Sequence, residues 1–332
     1  MHRFRRTHEF RLLVVTVGLV VLLSVATPRF LTVQNGLDLL TGNSFIGMTA
    51  AGLLVVLVSG GIDISFTAIA SVAQYVALEA AMRFGGGWAT LFVVALGVGT
   101  LLGVVNAVLI STLRISSIIV SIAMLNVYFG LLMFLTHGNQ LFNLPDWFID
   151  AFSWVVWTDK DGNPYVLNAQ MIGLVVCFAL SWVLLNRTST GRQIYALGGN
   201  AEAAARMGFD ALRLNLVAYG YLGFVSGLAS LAQAQLAQSV APNVLVGREL
   251  SVLAAVVLGG ASLTGGQGTV FGMMLGVAVL AIMENGLILL GVSSYWTQFF
   301  VGGVIVAAVT TIALERRRQR AATRRVMEGA AA

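Results

Sequence analysis

The chain has 332 residues, of which 58% are hydrophobic and only 10% charged, with a formal net charge of +5. Soluble domains carry about 25% charged residues, so this composition excludes an ordinary soluble enzyme or binding domain. Its basic residues sit at the ends of apolar runs rather than in a patch for nucleic acid, the single Cys177 permits no disulfide within the chain, and His2, His8 and His137 show no metal-ligand spacing.

Ten apolar segments follow one another at about 11–27, 39–59, 65–82, 88–111, 115–136, 168–186, 214–236, 249–262, 269–290 and 295–314. Most approach the roughly 20 residues that a helix needs to cross a bilayer. The expectation is an all-α, polytopic membrane bundle forming one domain, 1–332. The first segment follows Arg3, Arg5 and Arg6 as a signal peptide would, but nine further segments favour an uncleaved first span.

Between the second and third segments, "VSGGIDISFTAIAS" (58–71) places Gly60, Gly61 and Asp63 where scarcely any loop exists. Asp63 or Ser65 is positioned to cap the helix that follows. An acid at a break inside a membrane protein is equally a candidate for the translocation path. The fourth segment carries small residues at four-residue spacing (Ala95, Gly99, Gly103, Ala107), and the amide Asn126 of the fifth joins Asp63 and Ser65 as a candidate for the path. Such ladders let helix backbones approach closely, and packing is the role read for them.

The stretch 137–167 is the longest between segments. It is acidic (Asp146, Asp150, Asp159, Asp161) and aromatic (Trp147, Phe148, Trp154, Trp157). It reads as an interfacial helix followed by a "DKDGNP" turn, or as a docking surface for an external partner.

The stretch 187–213 contains "YALGGNAEAAARMGFD". Asn200 is a good N-cap, Glu202 lies in the first turn where the helix dipole favours an acid, and Gly208 stands where a C-cap is expected. The result is a two-turn polar helix with an alanine face. Its residues alone leave two readings open, a plain connector or a surface that enters a groove on another protein.

Gly223 and Gly227, then Gly268, Gly272 and Gly276, continue the small-residue ladders. "VVLGGASLTGGQGTVFG" (256–272) repeats the earlier break, with GGASLT set against GGIDIS and with Gly259, Gly260, Gly265 and Gly266. Irregular backbone at membrane depth persists only where protein buries it or a cavity needs it. Glu284 and Asn285 follow as further candidates for the path.

Charge sets the expected orientation. Fifteen basic residues lie in the N-terminus, the Arg114 loop, 187–213 and the C-terminal tail, against Arg29, Arg83, Lys160 and Arg248 on the other side. The positive-inside bias puts both termini and 187–213 in the cytoplasm. Lys160 is the chain's single lysine, so no phosphate-binding GxxxxGK[ST] loop exists and any ATP-driven step belongs to another chain.

Glu202-Ala203-Ala204, three residues, then Gly208 resembles the EAA---G core of the coupling loop in ATP-binding-cassette (ABC) importer permeases. "GGNAEAAARMG", "GGIDIS" and "ELSVLAAVVLGGASLTGGQGTVFGMMLG" through "ENGLILLGVSSYW" are similar to the ribose-type sugar branch of that family. The chain departs from the branch at Phe66-Thr67, Ser251, Gln267 and Glu284. The resemblance implies a type II-like permease of the bacterial inner membrane, paired with a second permease subunit. It implies cytoplasmic ATPase subunits, which hold ATP and Mg so that this chain needs no cofactor, and a sugar-binding protein outside. Asn200, Glu202, Ala203, Ala204, Arg206 and Gly208 would meet the ATPase. A nucleoside or branched-chain amino acid permease is the near alternative, and an ion-coupled secondary transporter the more distant one.

Overall fold

The computed structural model describes residues 8–149, 152–158 and 164–293, with isolated positions up to 310. The chain begins with α1 (His8–Ala26), α2 (Val33–Gly42), α3 (Ser44–Val58), α4 (Phe66–Phe84), α5 (Gly87–Leu113), α6 (Ser117–Thr136) and the single turn α7 (Asp146–Ile149). A hairpin of β1 (Ser153–Thr158) and β2 (Pro164–Asn168) leads to α8 (Ala169–Arg187), α9 (Ser189–Gly199), α10 (Ala201–Arg206) and α11 (Ala211–Ala237). The described helices close with α12 (Arg248–Leu258) and α13 (Val270–Leu289).

Among the described residues, α1, α5, α6, α8, α11 and α13 are long and apolar enough to cross a membrane. The α2–α3 pair, bent by 51°, makes a seventh span if counted as one. The bend falls at Asn43, whose backbone N–H and side-chain amide both donate to the Leu39 carbonyl, at 3.2 and 3.0 Å, and so close the end of α2. The expected segments 65–82 and 249–262 become α4, which carries Gln74, Glu79 and Arg83, and α12, which has only 11 residues. Most of the tenth segment, 295–314, and all of the basic tail lie outside the described residues.

α3 is the axis of the bundle, with every residue from Ser44 to Val58 buried. A helix apolar on all faces belongs in the interior, and α8, α11, α12 and α13 pack around this one. The small-residue ladders meet as the spacing implied. α5 and α11 run antiparallel and so close together that a methyl at Gly99 would overlap the Gly223 carbonyl, and one at Gly227 the Ala95 carbonyl. Gly272 and Gly276 of α13 likewise face the backbone of Gly259 and Ala255. In lipid, such contacts supply the van der Waals attraction that the hydrophobic effect cannot.

The expected interfacial helix in 137–167 is largely replaced by the hairpin. "SWVVWT" (153–158) is β-branched and aromatic, a composition that favours a strand over a helix. β1 pairs antiparallel with β2, irregularly between Val155 and Trp157, and Trp157 stacks on Tyr165 with centroids 5.2 Å apart. α7 is pinned to the start of α5, where the Trp88 ring lies 5.4 Å from Phe148 and 4.7 Å from Phe152.

The α5–α11 contact yields a direct test. Gly223→Val, which forces overlap with Gly99, will lower the melting temperature of the detergent-extracted protein, consistent with about 1–3 kcal/mol for overpacking. Gly97→Val, on a face with nothing nearby, will leave it unchanged in the same thermal assay.

Candidate coupling surface and the glycine contact beneath it

The polar helix of 187–213 forms as its caps predict. The Asn200 carboxamide oxygen accepts from Ala203 N at 3.0 Å, and the Asn200 backbone N–H donates to Ala196 O, so one residue ends α9 and begins α10. At the other end Gly208 takes φ 82°, its N–H donates to Ala205 O at 2.9 Å, and Phe209 N–H donates to Ala204 O at 3.1 Å. This double bond with a left-handed glycine is the Schellman ending.

The six expected coupling residues divide between two faces. Asn200, Glu202, Ala203, Arg206 and Gly208 are exposed, whereas Ala204 is fully buried and belongs to the main hydrophobic core. Ala204 therefore anchors the helix and presents nothing outward, a correction to the sequence reading. Met207, which that reading passed over, is 61% exposed and adds a flexible apolar side chain to the surface. Phe209 packs inward beside Ala204.

α9 sits directly on the two glycine breaks. The Val58 carbonyl at the end of α3 accepts from Gly266 N at 2.9 Å, and a methyl at Gly198 would overlap that same carbonyl. A Cβ at Gly265 would lie 2.6 Å from both Gly60 Cα and Gly198 O, and one at Gly266 2.7 Å from Gly199 Cα. Gly60, Gly198, Gly199, Gly265 and Gly266 thus meet backbone to backbone, while Gly61 faces the Tyr219 side chain. Tyr195 Oη adds a hydrogen bond to Gly268 O at 2.6 Å.

The two breaks share one geometry, in a register different from the GGIDIS–GGASLT pairing. Gly60 (φ 92°) corresponds to Gly260 (φ 93°), since Gly61 N donates to Val56 O as Ala261 N donates to Val256 O. Gly259, paired with Gly60 in the sequence comparison, instead matches Ser59 as the helix cap. The final helix carbonyls differ in their partners. Val58 O binds Gly266, whereas Leu258 O accepts from His8 Nε2 at 2.8 Å.

Asp63 is buried, and its side chain bonds no amide of the first turn of α4. Its Oδ1 accepts from Ser65 N and Ser65 Oγ, both at 2.7 Å, and Oδ2 accepts from Asn106 Nδ2 at 3.2 Å. Asn106 Nδ2 also reaches Ser65 Oγ at 2.7 Å, and Tyr128 Oη lies 3.0 Å from Asn106 Oδ1. Ser65 makes no capping bond to α4 either. Both residues instead join a buried polar network that ties the first break to α5 and α6.

The remaining path candidates do not join them. Asn126 is exposed on α6 and donates to Ile122 O of its own helix at 2.8 Å. Asn285 exchanges amide hydrogen bonds with Asn35 of α2, at 2.9 and 3.0 Å, and Glu284 beside it is partly buried. Tyr128 and Gly198 carried no sequence signal of their own beyond the repeated glycine pair.

Residues 35–309 match the family model described as branched-chain amino acid transport system / permease component. A ribose import permease of Escherichia coli K12 is 31% identical over 303 residues, covering 91% of this chain and 92% of its own. The ribose import permease of Bacillus subtilis 168 is 34% identical over 315 residues, covering 90% of each. An L-arabinose ABC transporter permease of Azospirillum brasilense is 31% identical over 308 residues, covering 90% of this chain and 86% of its own. No solved structure matches. With six helices among the described residues long and apolar enough to cross a membrane, and matches along nearly its whole length, the chain belongs to this family of transport-system permease components.

Proposed function

We propose that this chain is the membrane subunit of an ATP-driven importer that carries a monosaccharide or related polyol inward across the cytoplasmic membrane. The observation that carries the reading is the exposed face of α10, held by Ala204 and by the glycine contact directly over both breaks. That surface fits a separate ATPase, consistent with a chain that lacks a phosphate-binding lysine of its own. The sugar class rests on the relatives named for ribose and arabinose.

In the proposed cycle two such subunits pair, identical or not, and each receives one ATPase at α10 on the cytoplasmic side. A binding protein delivers cargo to the outer face, where the hairpin exposes Trp154 and Trp157. Closure of the ATPases on nucleotide pulls α10. Because Gly198 leaves no side chain between α9 and either the end of α3 or Gly265–Gly266 of the second break, the displacement passes to both breaks without slack. The effect is a bias on a two-state bundle, limited by how differently the ATPase binds the two states.

The family description names branched-chain amino acids, which makes their import the second reading. Uptake into vesicles holding the permease, its ATPase and its binding protein decides between them. Competition by unlabelled ribose, arabinose or fructose supports the sugar reading, and competition by leucine alone supports the other. Uptake that needs a proton or sodium gradient and no ATP overturns both.

Two substitutions test the parts. Gly208→Arg removes the residue that tolerates φ 82°, so ATPase co-purification and uptake will be lost while the amount of protein in the membrane stays normal. Retained co-purification would contradict the coupling assignment. Asp63→Asn keeps an acceptor for Ser65 and will retain part of the uptake, whereas Asp63→Leu leaves the Ser65 N–H without its acceptor in a buried site and will abolish it. Complete loss in Asp63→Asn at normal expression would instead give the charge itself a role in transport.

A further inference from the structure

Beneath the junction of α9 and α10 lies a cleft of about 440 Å³, a size in the range of small-ligand sites. Gly60 and Gly61 of the first break, Gly198 and Gly199 of α9, and Thr264 of the second break form its walls. Ser117 of α6 and Asn215 and Tyr219 of α11 complete it. Every element of the glycine contact therefore contributes to one concave surface.

Two features define what the cleft is suited to hold. Tyr219 is 1% exposed, and its hydroxyl, beside Ser117, has no partner at normal hydrogen-bonding geometry. Buried hydroxyls are ordinarily satisfied, so this one stands ready for a ligand or an ordered water. Gly61 makes room for it, since a methyl there would overlap the Tyr219 oxygen. Asn215 already donates to Ser111 Oγ at 3.0 Å, and Ser117 Oγ accepts from Ile62 N at 2.9 Å, so the serine hydrogen points either to the neighbouring Tyr219 hydroxyl or to a ligand.

The second feature is the absence of charge. No lining residue of the cleft is ionisable near neutral pH, and its polar side chains offer only hydroxyls and carboxamides. A phosphate or carboxylate ligand would lose its hydration there without a counter-charge. A neutral molecule rich in hydroxyls meets donors and acceptors on one wall and the apolar side chains of Ile110 and Leu197 on another.

We propose that this cleft is a cytoplasmic-side binding site for the neutral, polyhydroxylated cargo, through which accumulated cargo slows its own import. The proposal rests on the importer reading above. Its walls join α9 and both breaks to Ser117 of α6 and to Asn215 and Tyr219 of α11, so a movement of α10 and the breaks together against those helices reshapes the cleft. Cargo bound there then favours one state of the cycle in proportion to its differential affinity.

The test uses the complete complex in proteoliposomes with the cytoplasmic face outward and with binding protein and cargo inside. The probe is whichever of D-ribose, L-arabinose or D-fructose the uptake assay identifies, added outside, with leucine as control. ATP hydrolysis falls as the sugar is added and is unaffected by leucine. The half-inhibitory concentration rises about five-fold in Tyr219→Phe, the effect of one lost neutral hydrogen bond. Ser117→Ala, read the same way, keeps the test decisive if Tyr219→Phe fails to assemble. Hydrolysis insensitive to outside sugar in vesicles that still import it overturns this inference and leaves the importer reading standing, as does equal inhibition of wild type and both variants. Vesicles that import no sugar at all overturn both.

Discussion

The structure depends on a place where side chains are missing. At the end of α3 the Val58 carbonyl receives a hydrogen bond from Gly266 and the Cα of Gly198 on its other side, so three chain segments far apart in sequence touch through backbone alone. Interiors pack at a density that leaves no room for even one added methylene, and here the tolerance is smaller still. The contact has two consequences. It seals irregular backbone against protein, as membrane depth demands, and it sets α9, which carries α10 at its end, directly on both breaks.

The first break carries a second constraint of the opposite character. Asp63, Ser65, Asn106 and Tyr128 form a buried chain of hydrogen bonds with no basic side chain among them. Buried polar networks are stabilising when every member is satisfied and costly when one is lost. This network holds the start of α4 to α5 and α6, while the glycine contact holds the end of α3 to α9. The first break is therefore gripped from both sides, by polar bonds on one and by close packing on the other.

Much of this was legible in the sequence, for identifiable reasons. The caps of α10 could be read because Asn and Gly at helix ends act through local geometry that needs no tertiary context. The α5–α11 ladder could be read because four-residue spacing of glycines has few uses in a membrane helix other than close packing. What could not be read depended on what lies across from a residue. Burial of Ala204 is set by the core beneath it, and the correspondence of Gly60 with Gly260 by hydrogen bonds that two adjacent glycines leave ambiguous in sequence. The hairpin at β1 was masked because aromatic residues suit an interfacial helix and a strand equally. Asn126, Glu284 and Asn285 looked alike as polar residues in apolar helices, yet they face different surroundings.

The central claim is that α10 and the two breaks move as one body. Spin labels at Glu202→Cys on the exposed face of α10 and at Leu263→Cys, which is 41% exposed in the second break, measure it directly by pulsed electron resonance. The native Cys177 is buried and does not compete for label. In the complex with its ATPase, the account predicts one narrow distance that stays the same with and without ATP. A distance that shifts or broadens on ATP addition would mean that α10 moves independently of the breaks, and would contradict it.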